Sequence, residues 1–232
     1  NLSVVNYNSN LQYGSGGIVF YQCNALKTVN IGNNVKYIWE IFRNCSSLTT
    51  VNFPSSLESI AGGAFSDCTS LTSLNIPESV TEIYGDAFAG CTGLTSFSIS
   101  ANLIRFSTSA LDRCTSLKEI NVASENPEFL SEDGVLYSKN KTYILKYPIA
   151  KPQTNYVIDA NVETIGSCAF EGCKNLTNIE IPEGVKVLGY RAFYDCENIS
   201  HFSIPKSVTN IYDEVFLNTA WYNNQAEGLV YL

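Results

Sequence analysis

Methionine is absent from this chain of 232 residues, histidine occurs once, and charged residues make up only 16% of the sequence. Because translation starts at Met, we expect that Asn1 is not the native first residue and that a signal peptide, further repeats or both have been removed. No apolar run reaches the roughly 18 residues that a membrane-spanning helix needs, so direct membrane insertion is not expected.

Cationic side chains are also scarce, because 14 Lys and Arg stand against 22 Asp and Glu and give a formal net charge of -8. An acidic surface repels phosphate backbones and anionic lipids, so nucleic acid and acidic membrane surfaces are unfavourable partners. Hydrophobic residues amount to 45% of the sequence, which is enough for a sizeable core. The low charge leaves Ser, Thr and Asn to cover the surface.

A repeat of 22 or 23 residues runs along nearly the whole chain. Its cysteines recur at this interval with one interruption: Cys23, Cys45, Cys68, Cys91, Cys114, Cys173 and Cys196. Three residues before each of them lies a large apolar residue: Phe20, Phe42, Phe65, Phe88, Leu111, Phe170 and Phe193, with Phe216 continuing the series. A fixed period of this length is typical of a solenoid, in which each unit buries its apolar side against the next.

The spacing within the unit predicts one short strand per repeat. Leu74 and Ile76 are two residues apart, so they point to one side of a strand, while Ser73 and Asn75 point to the other. Pro77 ends this strand because it lacks an amide hydrogen. Stacked copies about 4.8 Å apart would place equivalent side chains in ladders, with the Phe ladder at the centre of the core.

The unit resembles the BspA-like leucine-rich repeat of bacterial surface proteins, most closely in residues 64–71 (AFSDCTSL) and 76–80 (IPESV). The resemblance covers nearly the whole chain and implies a right-handed leucine-rich-repeat superhelix of mainly short parallel β-strands with short helical or irregular connections. It also implies secretion or surface anchoring and binding of host or neighbouring-cell macromolecules, with no catalytic residues in the family pattern. Leu111 in place of Phe, and Gly32 and Ser100 in place of Pro, are mild departures.

The repeat is interrupted between Cys114 and Cys173, which are 59 residues apart, and 59 − 23 leaves 36 residues in excess. If residues 124–159 are an insertion, the apolar sites on both sides return to register. Two apolar segments, 134–137 and 142–147, flank a polar turn and predict a β-hairpin within it. We therefore expect one solenoid over residues 1–232 with a β-hairpin insertion at 124–159.

Both ends of the chain cut through repeats. Leu2, Val5, Tyr7 and Leu11 fit the apolar sites of a unit whose Cys is missing, and residues 228–231 (GLVY) are similar to 134–137 (GVLY). These similarities favour a piece of a longer protein that stops inside a second hairpin. A short natural protein with irregular terminal repeats is the alternative.

Neither the cysteines nor the histidine indicates a reactive centre. The repeat-site cysteines are predicted to be a ladder of small buried side chains, because their period is not a spacing of metal ligands. Cys168 lies outside this series and is the candidate reactive thiol, with a Cys168–Cys173 bond as the alternative. His201 falls on the polar side of a strand, and the scattered Asp and Glu residues single out no catalytic pair. We therefore assign no catalytic residue, metal or cofactor.

Two sets of outward residues are candidate binding sites. The first occupies outward strand positions on the expected concave side: Asn30, Asn52, Asn75, Ser98, Asn121, Glu180, His201 and Ser203. Mutual hydrogen bonding of stacked polar side chains is the alternative role of these residues. The second is an aromatic stripe at one repeat site, formed by Trp39, Tyr84 and Tyr212. Such rings suit sugar stacking or protein contact, or else they cover the edge of the core.

The sequence thus favours an extracellular, cell-surface scaffold of a bacterium that adheres to a protein or glycan of a host or neighbouring cell, as a monomer and without catalysis. A structural spacer that displays another domain is one alternative. A glycan-binding module for polysaccharide uptake is another. A binding screen against matrix proteins and glycans would distinguish an adhesin from a spacer.

Overall fold

The computed structural model describes residues 2–8 and 19–225. The protein is a β-solenoid with about nine turns of parallel strands and almost no helix, which confirms the predicted fold class. The chain divides into two compact units, residues 1–128 and 129–232, where the sequence predicts a single solenoid. Leu11 and residues 228–231, which the sequence places at a repeat site and in a second hairpin, lie outside the described residues.

Over residues 2–8 and 19–128, the strands of the first unit pair in parallel. They are β1 (Val4–Tyr7), β2 (Thr28–Ile31), β3 (Tyr37–Trp39), β4 (Thr50–Asn52), β5 (Ser59–Ala61), β6 (Glu82–Ile83), β7 (Ser96–Ile99), β8 (Arg105–Phe106) and β9 (Glu119–Val122), with a 3₁₀ turn over Thr108–Leu111. The predicted strand of each repeat forms sheets β1-β2-β4 and β7-β9, which we call the first ladder of this unit. A second ladder, β3-β5-β6-β8, follows it in each turn. The sequence does not predict the second ladder, because only two or three residues of each turn pair there.

Proline controls the strand length in the first ladder. The turns that have Gly32, Ser100 or Ala123 in place of Pro contain strands of four residues, whereas β4, which precedes Pro54, has three. The amide of Gly32 donates to the carbonyl of Tyr7 at 2.7 Å, and the amide of Ala123 continues β9 in the same way. A proline at this position cannot donate that hydrogen bond, so the ladder ends earlier.

The segment before Pro77 shows the same effect in its strongest form. Residues 73–76 form no regular strand, so the strand predicted at Leu74 and Ile76 is wrong. Their alternation survives, because Ser73 and Asn75 are exposed while Leu74 and Ile76 are half-buried. Packing of the apolar side therefore persists where the backbone hydrogen bonds are lost.

The Phe ladder is the centre of the core in the first unit. Phe42, Phe65 and Phe88 are fully buried. Their rings stack nearly parallel, with centroids 5.5 Å apart between Phe42 and Phe65 and 5.7 Å apart between Phe65 and Phe88. Each ring therefore contacts the equivalent ring of the next turn, and removing one would leave a cavity inside a continuous stack.

The second unit combines antiparallel and parallel pairing. Its elements are β10 (Phe129–Glu132), β11 (Val135–Ser138), β12 (Tyr143–Lys146), β13 (Asn155–Val157), β14 (Thr164–Ile165), β15 (Asn178–Glu180), β16 (Val187–Leu188), β17 (Asn210–Ile211) and the short helix α1 (Ala220–Asn223). Strands β13 and β15 pair in parallel, and the other sheet has the order β10-β11-β12-β14-β16-β17. In that sheet β11 is antiparallel to both of its neighbours, β10 and β12, and β12 begins the parallel part by pairing with β14.

The structure narrows the insertion that the sequence places at residues 124–159. Strands β11 and β12 form a hairpin around residues 139–141, but residues after β12 occupy repeat positions. The ring of Tyr147 stacks on Phe170 at 5.1 Å, as one Phe of the ladder does on the next. Tyr156 pairs with Ile179 in the first-ladder position, and Ile158 is buried at 1% exposure.

Residues 147–158 therefore belong to a further turn of the solenoid, and 36 − 23 leaves 13 residues of true insertion. The sequence hides this turn because three marker residues differ. Tyr147 lies at the Phe site, Ala150 at the Cys site and Gln153 at the following Leu site. A tyrosine ring fills the space of a phenylalanine, so the stack continues although the motif is lost.

Candidate binding surfaces

The outward residues of the first ladder are mostly accessible. In the first unit Asn52, Asn75, Ser98 and Asn121 are exposed, and Asn30 is half-buried. The parallel register of β2 with β4 and of β7 with β9 aligns Asn30 with Asn52 and Ser98 with Asn121. The structure thus brings these predicted site residues into columns with equivalent positions on neighbouring strands.

Asparagines at the start of this column bond to each other. The Nδ2 of Asn30 donates to Oδ1 of Asn6 at 2.8 Å, and the Nδ2 of Asn52 donates to Oδ1 of Asn30 at 2.7 Å. Asn121 instead donates to Oε1 of Glu119 on its own strand at 3.2 Å. Mutual hydrogen bonding, the alternative considered from the sequence, therefore occurs in the first turns, while the binding role of this column stays a prediction.

In the second unit the corresponding positions are less regular. Glu180 ends β15 and is exposed, whereas His201 and Ser203 are exposed in a segment without strand structure. Val157 pairs with Glu180 across β13 and β15 and is 65% exposed. The sequence does not identify Val157 as a surface residue because it falls inside the predicted insertion.

Within the first unit the aromatic stripe is interrupted. Ala61 lies between the Trp39 and Tyr84 positions in the first unit, and Tyr212 belongs to the second unit. Trp39 is half-buried and packs on Gly62, where a Cβ would collide with the indole ring. Tyr84 and Tyr212 are exposed, at 38% and 58%. Trp39 therefore covers the edge of the core, while the two tyrosines present ring surface to solvent.

Two side-chain triads lie next to this stripe on the second ladder of the first unit. Glu58 accepts hydrogen bonds from Nζ of Lys36 at 2.7 Å and from the hydroxyl of Tyr37 at 3.1 Å. The second triad has Glu82 at its centre and is built in the same way. Each carboxylate thus holds one tyrosine and one cation in a fixed arrangement.

In the second triad, Glu82 accepts from the hydroxyl of Tyr84 at 2.6 Å and from Nη1 of Arg105 at 2.7 Å. We call the six residues Lys36, Tyr37, Glu58, Glu82, Tyr84 and Arg105 the tyrosine–carboxylate patch. In the sequence, the patch is marked by charged residues of opposite sign at equivalent repeat positions of neighbouring turns. This pattern can be recognised only once the pairing of the second ladder is known.

These contacts shift the titration of the groups concerned. The hydrogen bond from Lys36, followed by that from Tyr37, lowers the pKa of Glu58. The hydrogen bond to Glu58 raises the pKa of Tyr37, and the hydrogen bond to Glu82 raises the pKa of Tyr84. These shifts favour an ionised Glu58 carboxylate and neutral Tyr37 and Tyr84 hydroxyls around neutral pH.

All eight cysteines are free thiols, and six of the repeat-site cysteines are buried. Cys23 is the exception to the predicted buried ladder, because it is half-buried in the first described turn, and Cys168 is half-buried as well. The Sγ of Cys68 lies 3.1 Å from the carbonyl of Phe42 in the preceding turn, and Cys91 contacts Phe65 in the same way at 3.2 Å. These thiols therefore act as weak donors inside the core.

Burial also controls the acidity of these thiols. Desolvation raises the pKa of Cys45 to about 11 and raises that of Cys68 further.

Over residues 2–8 and 19–225, no three His, Cys, Asp or Glu side chains are grouped as a metal site requires. The same part of the chain contains no helix with the length and apolar character needed to cross a membrane.

A sequence model described as the BspA type leucine-rich repeat region, in six copies, matches residues 15–135 and 149–226. These ranges contain most of the chain. They cover only part of the turn that begins at Tyr147. No curated protein matches the chain significantly.

Several solved structures that resemble this fold are bacterial leucine-rich repeat proteins. One from Eubacterium ventriosum has 28% identity and a TM-score of 0.78 over 90% of this chain and 63% of its own. A leucine-rich cell surface protein from Faecalibacterium prausnitzii has 27% identity and a TM-score of 0.66 over 85% of this chain and 66% of its own. The pneumococcal vaccine antigen PcpA, at 24% identity and a TM-score of 0.68 over 87% of this chain and 55% of its own, shares the fold. The chain thus spans less than two thirds of the length of each of these proteins.

Proposed function

Because the chain belongs to the BspA type leucine-rich repeat family, we propose that it is an extracellular, cell-surface scaffold that binds a protein or glycan of a host or neighbouring cell. The family is generally a non-catalytic scaffold, and a relative with 27% identity is described as a cell surface protein. The scaffold acts as a monomer and presents its ligand-binding residues on outward positions of the repeats.

The observation that carries this proposal is the exposed polar surface of the first ladder. Asn52, Asn75, Ser98 and Asn121 recur at one outward position over successive turns and are exposed. The fold does not need these side chains for its core, since the apolar residues on the opposite side of each strand supply the packing. Repeated polar groups at a fixed spacing suit an extended macromolecular ligand, which many solenoids bind along consecutive repeats.

Capture of immobilised matrix proteins and glycans, measured by surface plasmon resonance, tests the proposal. We expect the purified chain to bind at least one of these probes. Asn75→Arg and Ser98→Arg should each weaken that binding by about tenfold without a change in melting temperature, because they place a bulky charge in the proposed interface.

Asn33→Arg is the matched control, since Asn33 is exposed in a turn outside the ladder. This variant should bind like the parent chain. Capture of none of the probes would favour the structural spacer instead. Capture that neither ladder variant weakens would move the binding site away from the first ladder.

A further inference from the structure

The second ladder of the first unit carries an ordered polar and aromatic surface that the core does not require. Tyr37 is 46% exposed and Tyr84 is 38% exposed, so both rings face solvent. Their hydroxyls are held by Glu58 and Glu82, whose other carboxylate oxygens are held by Lys36 and Arg105. The two rings are thereby oriented before any ligand arrives, which lowers the entropy that binding would cost.

Small residues separate the two tyrosines. In the register of β3, β5 and β6, Ser59 lies between Tyr37 and Glu82, and Ala61 follows Trp39. Ser59 and Ala61 are buried, at 6% and 3% exposure. Tyr37 on β3 and Tyr84 just after β6 are two strand spacings, or about 10 Å, apart across the ladder, which is the scale of two adjoining sugar rings.

The net charge of the patch disfavours strongly charged ligands of either sign. Lys36 and Arg105 balance Glu58 and Glu82, so the patch is formally neutral, while the whole chain carries -8. A polyanion gains nothing from a neutral patch and is repelled by the acidic protein. A polycation finds both carboxylates already occupied by cations.

The mixture of groups also disfavours a protein interface centred here. The central part of a protein interface is depleted of charged side chains, because burying them without new partners is unfavourable. Four of the six patch residues are charged. A sugar can place its apolar C–H face on a tyrosine ring while its hydroxyls hydrogen-bond to the carboxylates and cations beside that ring.

We propose that the tyrosine–carboxylate patch is a binding site for a neutral polysaccharide, with Tyr37 and Tyr84 as stacking platforms and Glu58 and Glu82 as hydrogen-bond acceptors for sugar hydroxyls. The site deepens the proposed binding function, on which it rests, and it is separate from the first-ladder surface. Lys36 and Arg105 fix the carboxylates and donate to sugar oxygens.

Native electrophoresis through gels that contain a soluble neutral polysaccharide tests this site. The probes are dextran, mannan, xyloglucan and a β-1,3-glucan, with alginate and heparin as polyanionic probes. We expect at least one neutral polysaccharide to retard the chain and neither polyanion to do so. Tyr37→Ala and Tyr84→Ala should each weaken the retarding interaction by about tenfold, because each removes an exposed anchor ring.

One further variant separates the ring of Tyr84 from its hydrogen bond to Glu82, and another serves as a control. Tyr84→Phe keeps the ring and loses the contact with Glu82, so it should weaken binding less than Tyr84→Ala. Tyr190→Ala is the matched control, because Tyr190 is 40% exposed but lies in the second unit. It should bind like the parent, and melting curves of all variants show whether they remain folded.

Retardation by no neutral polysaccharide would overturn the site, as would stronger retardation by alginate or heparin. Folded Tyr37→Ala and Tyr84→Ala variants that bind like the parent would also overturn it. Capture of matrix proteins in the surface plasmon resonance screen, without binding to any neutral polysaccharide, would overturn this site and leave the proposed binding function standing. Absence of any ligand in both experiments would overturn the two proposals together.

Discussion

At the scale of single residues, cysteine supports this fold through its size and its weak hydrogen bond. A buried thiol fills a small site beside the Phe ladder, and in Cys68 and Cys91 the sulfur also reaches a carbonyl of the preceding turn. That contact has an energetic value well below that of an ordinary amide hydrogen bond. Because the eight cysteines form no disulfide, packing and the hydrogen bonds between neighbouring turns connect these turns.

Alkylation of the folded chain tests the burial of the thiols. Cys68 and Cys91 should react far more slowly with iodoacetamide at pH 8 than Cys168, because the nucleophile is the thiolate and burial raises the pKa of both buried thiols. Mass spectrometry of peptides from timed samples measures the order of labelling, with the denatured chain as the control in which all eight react. Equal rates at Cys91 and Cys168 would contradict the ladder.

The carboxylate of Glu58 gives a second residue-scale prediction. Its pKa should lie below that of an ordinary glutamate, because Lys36 and Tyr37 donate to its charged form. Its contribution to stability is therefore present above the unfolded pKa and is lost as the pH falls through the lowered folded pKa. In an NMR titration, Lys36→Met should raise the pKa of Glu58 more than Tyr37→Phe does. No change in either variant would show that the triad does not form in solution.

At the scale of elements, the repeat predicts the first ladder and the Phe ladder, because both depend on apolar side chains that recur in the sequence. The second ladder escapes such prediction, since two paired residues such as Glu82 and Ile83 leave no visible alternation. The turn that begins at Tyr147 is hidden for a different reason. There a different ring maintains the stack while the Cys site holds Ala150.

The candidate binding residues also divide into those that the sequence predicts and those that it does not. Outward polar positions such as Asn75 can be predicted, because the alternation of polar and apolar residues survives there even without strand pairing. The triads of Glu58 and Glu82 cannot, because they depend on which residues become neighbours in the second ladder. Val157 is missed for the related reason that its turn is hidden.

Deletion of residues 124–159 tests the element assignment. From the periodicity alone, this deletion is predicted to leave the stability unchanged, since it restores a 23-residue spacing. The structure predicts instead that it destabilises the second unit, because it removes Tyr147 from the Phe stack and deletes buried Ile158. Thermal melting and limited proteolysis measure the loss, and Tyr147→Ala alone should cost about 3–5 kcal/mol.

An insertion of two glycines after Asn140 is the control for that deletion. Asn140 is exposed in the turn between β11 and β12, where extra length adds little closure entropy. This variant should melt close to the parent. A 36-residue deletion that melts at the parent temperature would show that the hidden turn does not contribute to the fold.

At the scale of the whole molecule, the inward and outward sides of each turn of the solenoid have separate roles. Inward residues such as Phe88 are fully buried and connect successive turns, whereas outward residues such as Asn75 and Tyr84 are exposed. Contacts in a solenoid are confined to neighbouring turns, so outward side chains can change without disturbing distant parts of the core. This separation allows a stable scaffold to carry different binding surfaces.

An alanine scan of the described residues, read out as resistance to protease, tests this separation most directly. The account predicts that sensitivity recurs every 22 or 23 residues at inward sites, with Phe88→Ala costing about 3–5 kcal/mol of unfolding free energy. Asn75→Ala and Tyr84→Ala should cost within about 0.5 kcal/mol, as exposed positions do. Losses at these outward sites as large as that at Phe88, or a sensitivity profile without the repeat period, would contradict the account.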